Sequence, residues 1–109
     1  MSKLDKVQKY IEKGKELDLL KLFHDKDKEV RLAAIAGAGK VGKDDSFNAL
    51  IILLTDEDAD IRAQAATALG ALRNSHGDAH LRYCLGKETD AKVAAAIRNA
   101  LALLHEEGR

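Results

Sequence analysis

The residues best suited to metal chemistry lie between positions 76 and 84. His76, His80 and Cys84 can each ligate a metal, and a helix would present His80 and Cys84 on one face because they are four residues apart. A zinc site needs three or four converging ligands. His76 precedes Gly77, so its direction is not fixed by that helix, and the pattern does not recur in the chain. We therefore predict no metal site and interpret Cys84 as a small buried side chain.

Other signals for catalysis lack the required context. Ser, His and Asp residues fall in predicted turns and helix starts, where no neighbouring base would activate a nucleophile. Residues 37–40 read Gly-Ala-Gly-Lys, but they follow no strand and lie inside a helical pattern, unlike a phosphate-binding loop. The sequence predicts a protein that is not an enzyme and binds no cofactor.

An acidic and a basic residue recur at constant spacing. Asp25 precedes Arg31 by six residues, Asp56 precedes Arg62 by six, and the two pairs are 31 residues apart. A guanidinium is a rigid fork of five N–H donors that suits carboxylate and carbonyl oxygens. The recurrence points to a repeated structural unit that positions these side chains.

That unit extends well beyond the charged pair. Its apolar positions recur after 31 and then 32 residues, as in Val30, Ile61 and Val93. Each copy has a shorter apolar segment before its acidic turn, at residues 17–23, 47–54 and 79–85. A unit of helix, turn and helix at a fixed period in this range is typical of a solenoid, in which each unit buries its apolar face against its neighbours.

The pattern Asp-x-Asp-x-x-Val/Ile-Arg-x-x-Ala, preceded in the second copy by Gly-x-Asp-x-x-x-x-x-Leu, resembles HEAT repeats. More narrowly, it resembles the short prokaryotic type grouped with phycobilin-lyase subunits. The resemblance covers about residues 17–104 and implies an all-α fold, a right-handed α-solenoid of about three helical hairpins. It also implies a ladder between successive repeats, formed by turn Asp and inner-helix Arg residues, here Asp25, Arg31, Asp56 and Arg62. The third copy has Ala94 in place of the Arg.

We predict a single domain over residues 1–109. A capping helix at about 3–13 precedes repeats at about 16–42, 45–73 and 78–106, since Leu4, Val7 and Ile11 would share one face of that first helix.

Helix starts and glycines add local expectations. Asp27 should cap the first inner helix, Asp58 or Asp60 the second, and Asp44 or Asp45 the second outer helix. Gly37 and Gly39 each cost helix stability, up to about 1 kcal/mol relative to Ala. Close packing against the next helix would offset that cost.

The resemblance places the inner helices on the concave side of the stack. By helical phase, eight residues should form a shallow groove there, apolar at the first repeat and polar at the third: Leu32, Ile35, Ala36, Ala63, Ala66, Thr67, Arg98 and Asn99. The alternative is that the N-terminal helix or neighbouring side chains cover Leu32 and Ile35.

The predicted function is a non-catalytic scaffold that binds another protein on this concave face. A net charge of zero and 4% aromatic residues argue against nucleic acid. Membrane insertion is also disfavoured, because no apolar run approaches about 18 residues. One Cys suits a reducing compartment, so we expect a cytoplasmic monomer or weak homo-oligomer. The resemblance alone suggests an alternative, an accessory subunit of a lyase-type complex acting on a tetrapyrrole-bearing protein.

Overall fold

The computed structural model describes residues 1–106, and these form seven α-helices and one 3₁₀ turn without a strand. The elements are α1 (Lys3–Glu12), α2 (Glu16–Lys21), the 3₁₀ turn (Leu22–His24), α3 (Lys28–Val41), α4 (Asp44–Leu53), α5 (Ala59–Leu72), α6 (Gly77–Lys87) and α7 (Ala91–Leu104). Within this described part of the chain, every helix is too short or too polar to cross a membrane.

The helices form two layers. An inner layer contains α1, α3, α5 and α7 side by side, and an outer layer contains α2, α4 and α6. The pairs α2–α3, α4–α5 and α6–α7 are three successive hairpins, which we number as repeats one to three. The assembly measures 40 × 32 × 18 Å. The predicted all-α solenoid is confirmed, while the handedness of its arc stays a prediction.

The inner helices begin in the same way. Asp27, Asp58 and Asp90 are the N-caps of α3, α5 and α7, and each carboxylate accepts the N–H of the residue two positions later, at 2.9, 2.8 and 2.8 Å. Each bond satisfies a donor that the first turn of a helix leaves unpaired. The prediction for Asp27 is confirmed, and of the two candidates for α5 the cap is Asp58, not Asp60.

The start of α4 differs from the prediction. Asp44 and Asp45 lie in the first turn of the helix and do not cap it. Glu16 of α2 does so instead: its Oε2 accepts hydrogen bonds from the backbone N–H of Lys43 at 2.6 Å and from the N–H and hydroxyl of Ser46 at 3.0 and 2.6 Å. Burial would raise the pKa of Glu16, but these bonds outweigh it and hold that pKa below its usual value. The cap joins two repeats, which local sequence cannot reveal.

Neighbouring inner helices approach closely where a glycine faces an alanine. A Cβ atom on Gly39 would lie 2.9 Å from the Cα of Ala68, and one on Gly70 would lie 2.8 Å from the Cα of Ala100. Real side chains do not tolerate such distances to backbone. The prediction that close packing explains Gly39 is therefore confirmed.

Helix α1 packs on α3 and begins the inner layer. Val7 is buried, Ile11 is half-buried and Leu4 remains 45% exposed. A Cβ on Gly37 would lie 2.7 Å from Cγ1 of Ile11, so this glycine accommodates the preceding helix α1 and not the next helix, contrary to the prediction. Ser2 caps α1 by accepting the N–H of Asp5 at 3.1 Å.

Candidate functional site

The eight residues predicted to form the groove do not share one environment. Ile35 and Ala66 are fully buried, whereas the other six are accessible to different degrees. The half-buried ones are Leu32, Ala36 and Ala63, and the exposed ones are Thr67, Arg98 and Asn99.

The burial of Ile35 and Ala66 corrects the predicted groove. These residues occupy the same position in repeats one and two, four residues before Gly39 and Gly70. Residues four apart lie on one helix face, and at Gly39 and Gly70 that face contacts the next inner helix. The prediction treated an inner helix as having one buried stripe, but α3 and α5 are also covered by the inner helix of the following repeat. The alternative that Ile35 is covered is therefore the correct one.

An open groove lies beside these buried residues on the inner layer. Its volume is about 290 Å³, and it is lined by Leu32, Asp60, Ala63, Gln64, Thr67, Lys92 and Ala96. Three of the predicted residues, Leu32, Ala63 and Thr67, are thus brought together. Ala36, Arg98 and Asn99 do not line it.

One end of the groove carries a set of ion pairs that crosses all three repeats. Nζ of Lys28 lies 2.9 Å from the carboxylate of Asp58 and 2.8 Å from that of Asp60, and Lys92 pairs with the other oxygen of Asp60. The hydrogen bonds from Lys28 and then Lys92 lower the pKa of Asp60 to about 2. The repeat pattern did not predict these pairs because the residue type is not repeated: Asp60 and Lys92 occupy equivalent positions 32 residues apart, where the first repeat has Glu29, and Lys28 lies one position earlier.

The predicted Asp–Arg ladder takes a different form. Arg31 donates to the backbone carbonyls of Asp25 and Lys26 at 2.7 and 3.3 Å, and Arg62 donates to the carbonyl of Asp56 at 2.8 Å. These bonds brace the turn of the same repeat. The prediction that these Asp and Arg residues link successive repeats is therefore wrong for these hydrogen bonds, because each one joins an Arg to a carbonyl of its own repeat.

Arg62 does reach the next repeat, through a residue that the sequence analysis missed. Its Nε and Nη2 donate to the two carboxylate oxygens of Glu88, each at 3.0 Å. This bidentate bond raises the pKa of Arg62 and lowers that of Glu88, whose side chain is only 7% exposed. The sequence signal that could have identified Glu88 is its position two residues before the N-cap Asp90. The equivalent residue of the second repeat is the shorter Asp56.

The buried polar side chains and the thiol of Cys84 also bear on the chemistry of the site. Every buried side-chain nitrogen and oxygen of residues 1–106 has a hydrogen-bond partner. Burial raises the pKa of the Cys84 thiol, which disfavours the thiolate form. The groove supplies a small apolar floor and a charged end.

The model of a family described as HEAT repeats matches residues 17–102. The chain belongs to the HEAT-repeat family. The match begins in α2 and ends in α7, so it includes all three hairpins. No curated protein matches the chain. The match is to HEAT repeats as a class, and the narrower resemblance to the type grouped with phycobilin-lyase subunits stays a prediction. HEAT repeats generally serve as protein-interaction modules, typically without enzymatic activity.

Proposed function

We propose that this HEAT-repeat chain is a non-catalytic scaffold that binds a helix or an extended segment of another protein in the groove of its inner layer. The observation that carries the proposal is the groove itself, in which Leu32, Ala63 and Thr67 come from two successive repeats and remain accessible. Solenoids bind partners on such continuous surfaces.

The lining explains why the partner would be a protein segment. Ala63 and Ala96 are small, so the floor is shallow and can accept a main chain or a helix side at close range. At the charged end, Lys28 and Lys92 are already paired with Asp60. Among the described residues, this pairing leaves no run of free cations at that end of the groove that would attract nucleic acid. The remaining polar groups, Thr67 and Gln64, can exchange water for hydrogen bonds from a peptide.

The surface is also preformed. The closely packed inner helices fix the spacing of the groove residues before a partner arrives, which lowers the entropic cost of association. We place the scaffold in the cytoplasm as a monomer or weak homo-oligomer, where its one cysteine stays reduced.

The test is a comparative affinity capture from native extract, with the retained proteins quantified by mass spectrometry. Ala63→Glu places an uncompensated charge on the groove floor, and we expect about tenfold or greater loss of a specifically bound partner. Ala79→Glu is the matched control, because Ala79 is exposed on α6 in the outer layer. Circular dichroism and the unfolding midpoint check that both variants fold.

Thr67→Glu is a second groove variant. Because Thr67 is exposed, we expect this substitution to leave folding unchanged. Proteins retained by the wild type and Ala79→Glu, but lost from both groove variants, would support the proposal. Equal retention by all four proteins would contradict it.

A further inference from the structure

Arg31 and Arg62 are anchored alike in their repeats, but only Arg62 binds a carboxylate. In each, Nη1 donates to two carbonyls of the preceding turn, at 2.7 and 3.3 Å from Arg31 and at 2.8 and 3.2 Å from Arg62. The Nε and Nη2 groups of Arg62 then bind Glu88 at 3.0 Å. In the described part of the chain, the same two groups of Arg31 make no hydrogen bond, and Arg31 makes no ion pair. Arg31 therefore offers the pair of donors that holds a carboxylate elsewhere in this molecule.

Arg31 lines an open cleft between the turns of repeats one and two. The cleft has a volume of about 630 Å³, which is large enough for a small molecule. Three apolar side chains, Phe23, Leu53 and Ile61, also line it, and each is at most 8% exposed. Among the described residues, none that lines the groove of the inner layer lines this cleft. The cleft is therefore a separate site that combines apolar surface with two free donors.

The carboxylates around Arg31 select the charge of a guest molecule. Asp25 and Asp58 line the cleft but are paired with lysines at 2.8 and 2.9 Å. Asp56 and Glu57 also line it, and within residues 1–106 neither makes an ion pair. A guest with a carboxylate alone would be repelled by these two carboxylates. The complementary guest carries a carboxylate for Arg31 and a cation for Asp56 and Glu57.

We propose that this cleft binds a free α-amino acid with an apolar side chain. The carboxylate of the amino acid accepts hydrogen bonds from Nε and Nη2 of Arg31, in the way that Glu88 does from Arg62. Its ammonium group lies near Asp56 and Glu57, and its side chain packs on the apolar surface of the cleft. Each end of a peptide carries only one of these two charges, which favours a free amino acid over a peptide segment.

The probe is leucine, and three analogues each lack one of the recognised groups. Leucinamide lacks the carboxylate, N-acetylleucine lacks the ammonium group and glycine lacks the apolar side chain. NMR titration of ¹⁵N-labelled protein with leucine should show saturable shifts of the Nε–H signal of Arg31 and of the backbone N–H signals of residues 55–58. Each analogue should bind about tenfold more weakly or less.

Asp56→Glu is the sharpest variant, because it gives the first junction the residue type that binds the arginine at the second. Its longer side chain should occupy the free donors of Arg31 and weaken leucine binding by about tenfold or more. Asp45→Glu adds the same methylene at an exposed carboxylate in the first turn of α4 and should leave the affinity unchanged. Thr67→Glu should also leave it unchanged, so failure here is distinguishable from failure of the groove proposal. The unfolding midpoint checks that each variant folds.

Saturable shifts with leucine that weaken with all three analogues and in Asp56→Glu would support the inference. It is overturned if leucine causes no saturable shift, or if leucinamide or N-acetylleucine binds as tightly as leucine. Equal affinity of Asp56→Glu and Asp45→Glu for leucine would also overturn it.

Discussion

The junction between repeats one and two differs from the junction between repeats two and three, although the inner helices approach in the same way at both. Gly39 faces Ala68 at the first junction, and Gly70 faces Ala100 at the second. The side-chain contacts around this shared backbone approach differ almost completely between the two junctions. The comparison indicates that the backbone approach defines the stacking of repeats, and that the other contacts adjust its strength.

The outer layer shows this exchange clearly. At the first junction, the carboxylate of Glu16 accepts the hydroxyl of Ser46 at 2.6 Å. Thirty-one residues later the equivalent positions are Phe47 and Gly77, and a Cβ on Gly77 would lie 3.4 Å from Cε1 of Phe47. One junction is closed by a charged hydrogen bond and the other by an aromatic ring against a residue with no side chain.

The two junctions also differ at the edge of the stack that is formed by the turns before the inner helices. Glu88 bonds Arg62 across the second junction, but Asp56 is one methylene shorter, and among residues 1–106 no ion pair joins it to Arg31. The open space beside Arg31 and Asp56 is about 630 Å³, whereas that beside Arg62 and Glu88 is about 340 Å³. The first junction is therefore less completely filled at this edge.

The largest effect should come from disturbing the contact that both junctions share. Gly39→Val and Gly70→Val should each lower the free energy of unfolding by about 1–3 kcal/mol, because the new side chain overlaps the facing backbone. Urea unfolding followed by circular dichroism gives this quantity. Gly86→Ala is the control, since a Cβ there meets nothing within 4 Å, and it should stabilise the protein by about 0.5–1 kcal/mol. Comparable destabilisation by all three would refute the close approach.

Glu16→Ala should come next, with a cost of about 1–2 kcal/mol, because it removes the cap of α4 and leaves Ser46 without its acceptor. Asp45→Ala, in the first turn of the same helix, should cost far less. If the two variants lost equal stability, Glu16 would not be the cap.

The Glu16 contribution should also depend on pH. Because the folded pKa lies below the unfolded one, the stabilisation is fully present above the unfolded pKa and is lost as pH falls through the folded pKa. The stability difference between the wild type and Glu16→Gln, measured from pH 7 down to pH 3, should therefore shrink in the acidic part of that range. A constant difference would contradict the assignment.

Replacing Arg62 and replacing Arg31 should change the free energy of unfolding by different amounts, and this difference should be smaller than the effects above. Arg62→Ala removes a partly buried bidentate partner of Glu88 and should destabilise the protein more than Arg31→Ala, by about 1–2 kcal/mol. Both variants lose the turn carbonyl contacts, so each serves as the control for the other. A double-mutant cycle with Glu88→Gln should show coupling to Arg62 and none to Arg31.

The smallest expected effect is a gain in stability. Asp56→Glu supplies the missing methylene at the first junction and should add about 0.2–1 kcal/mol by reaching Arg31. Asp56→Gln has the same length without the charge and should add less. The gain should disappear in an Arg31→Ala background, and persistence of the gain there would show that another contact is responsible.

Sequence periodicity predicted the helices, the hairpins and the cap at Asp27, and it narrowed the cap of α5 to Asp58 or Asp60, because those features depend on local spacing. It failed for Ile35 and Ala66, since a single helical stripe does not describe a helix with neighbours on three sides. It also missed Glu16 and Glu88, whose partners are 30 and 26 residues away in the chain. Which residue reaches across a junction depends on side-chain length in three dimensions.

The two junctions occupy the Ile35 and Ala66 side of the inner helices, so the accessible inner surface is the groove around Leu32, Ala63 and Thr67. Site-specific photo-crosslinking tests most directly whether this groove binds the partner. A benzophenone amino acid would replace Thr67 in the groove or Ile52 in the outer layer, where Ile52 is 72% exposed. After irradiation in native extract, we predict a discrete adduct from position 67 and none from position 52. An adduct from position 52 alone, or from neither position, would contradict the assignment of the inner groove as the binding surface.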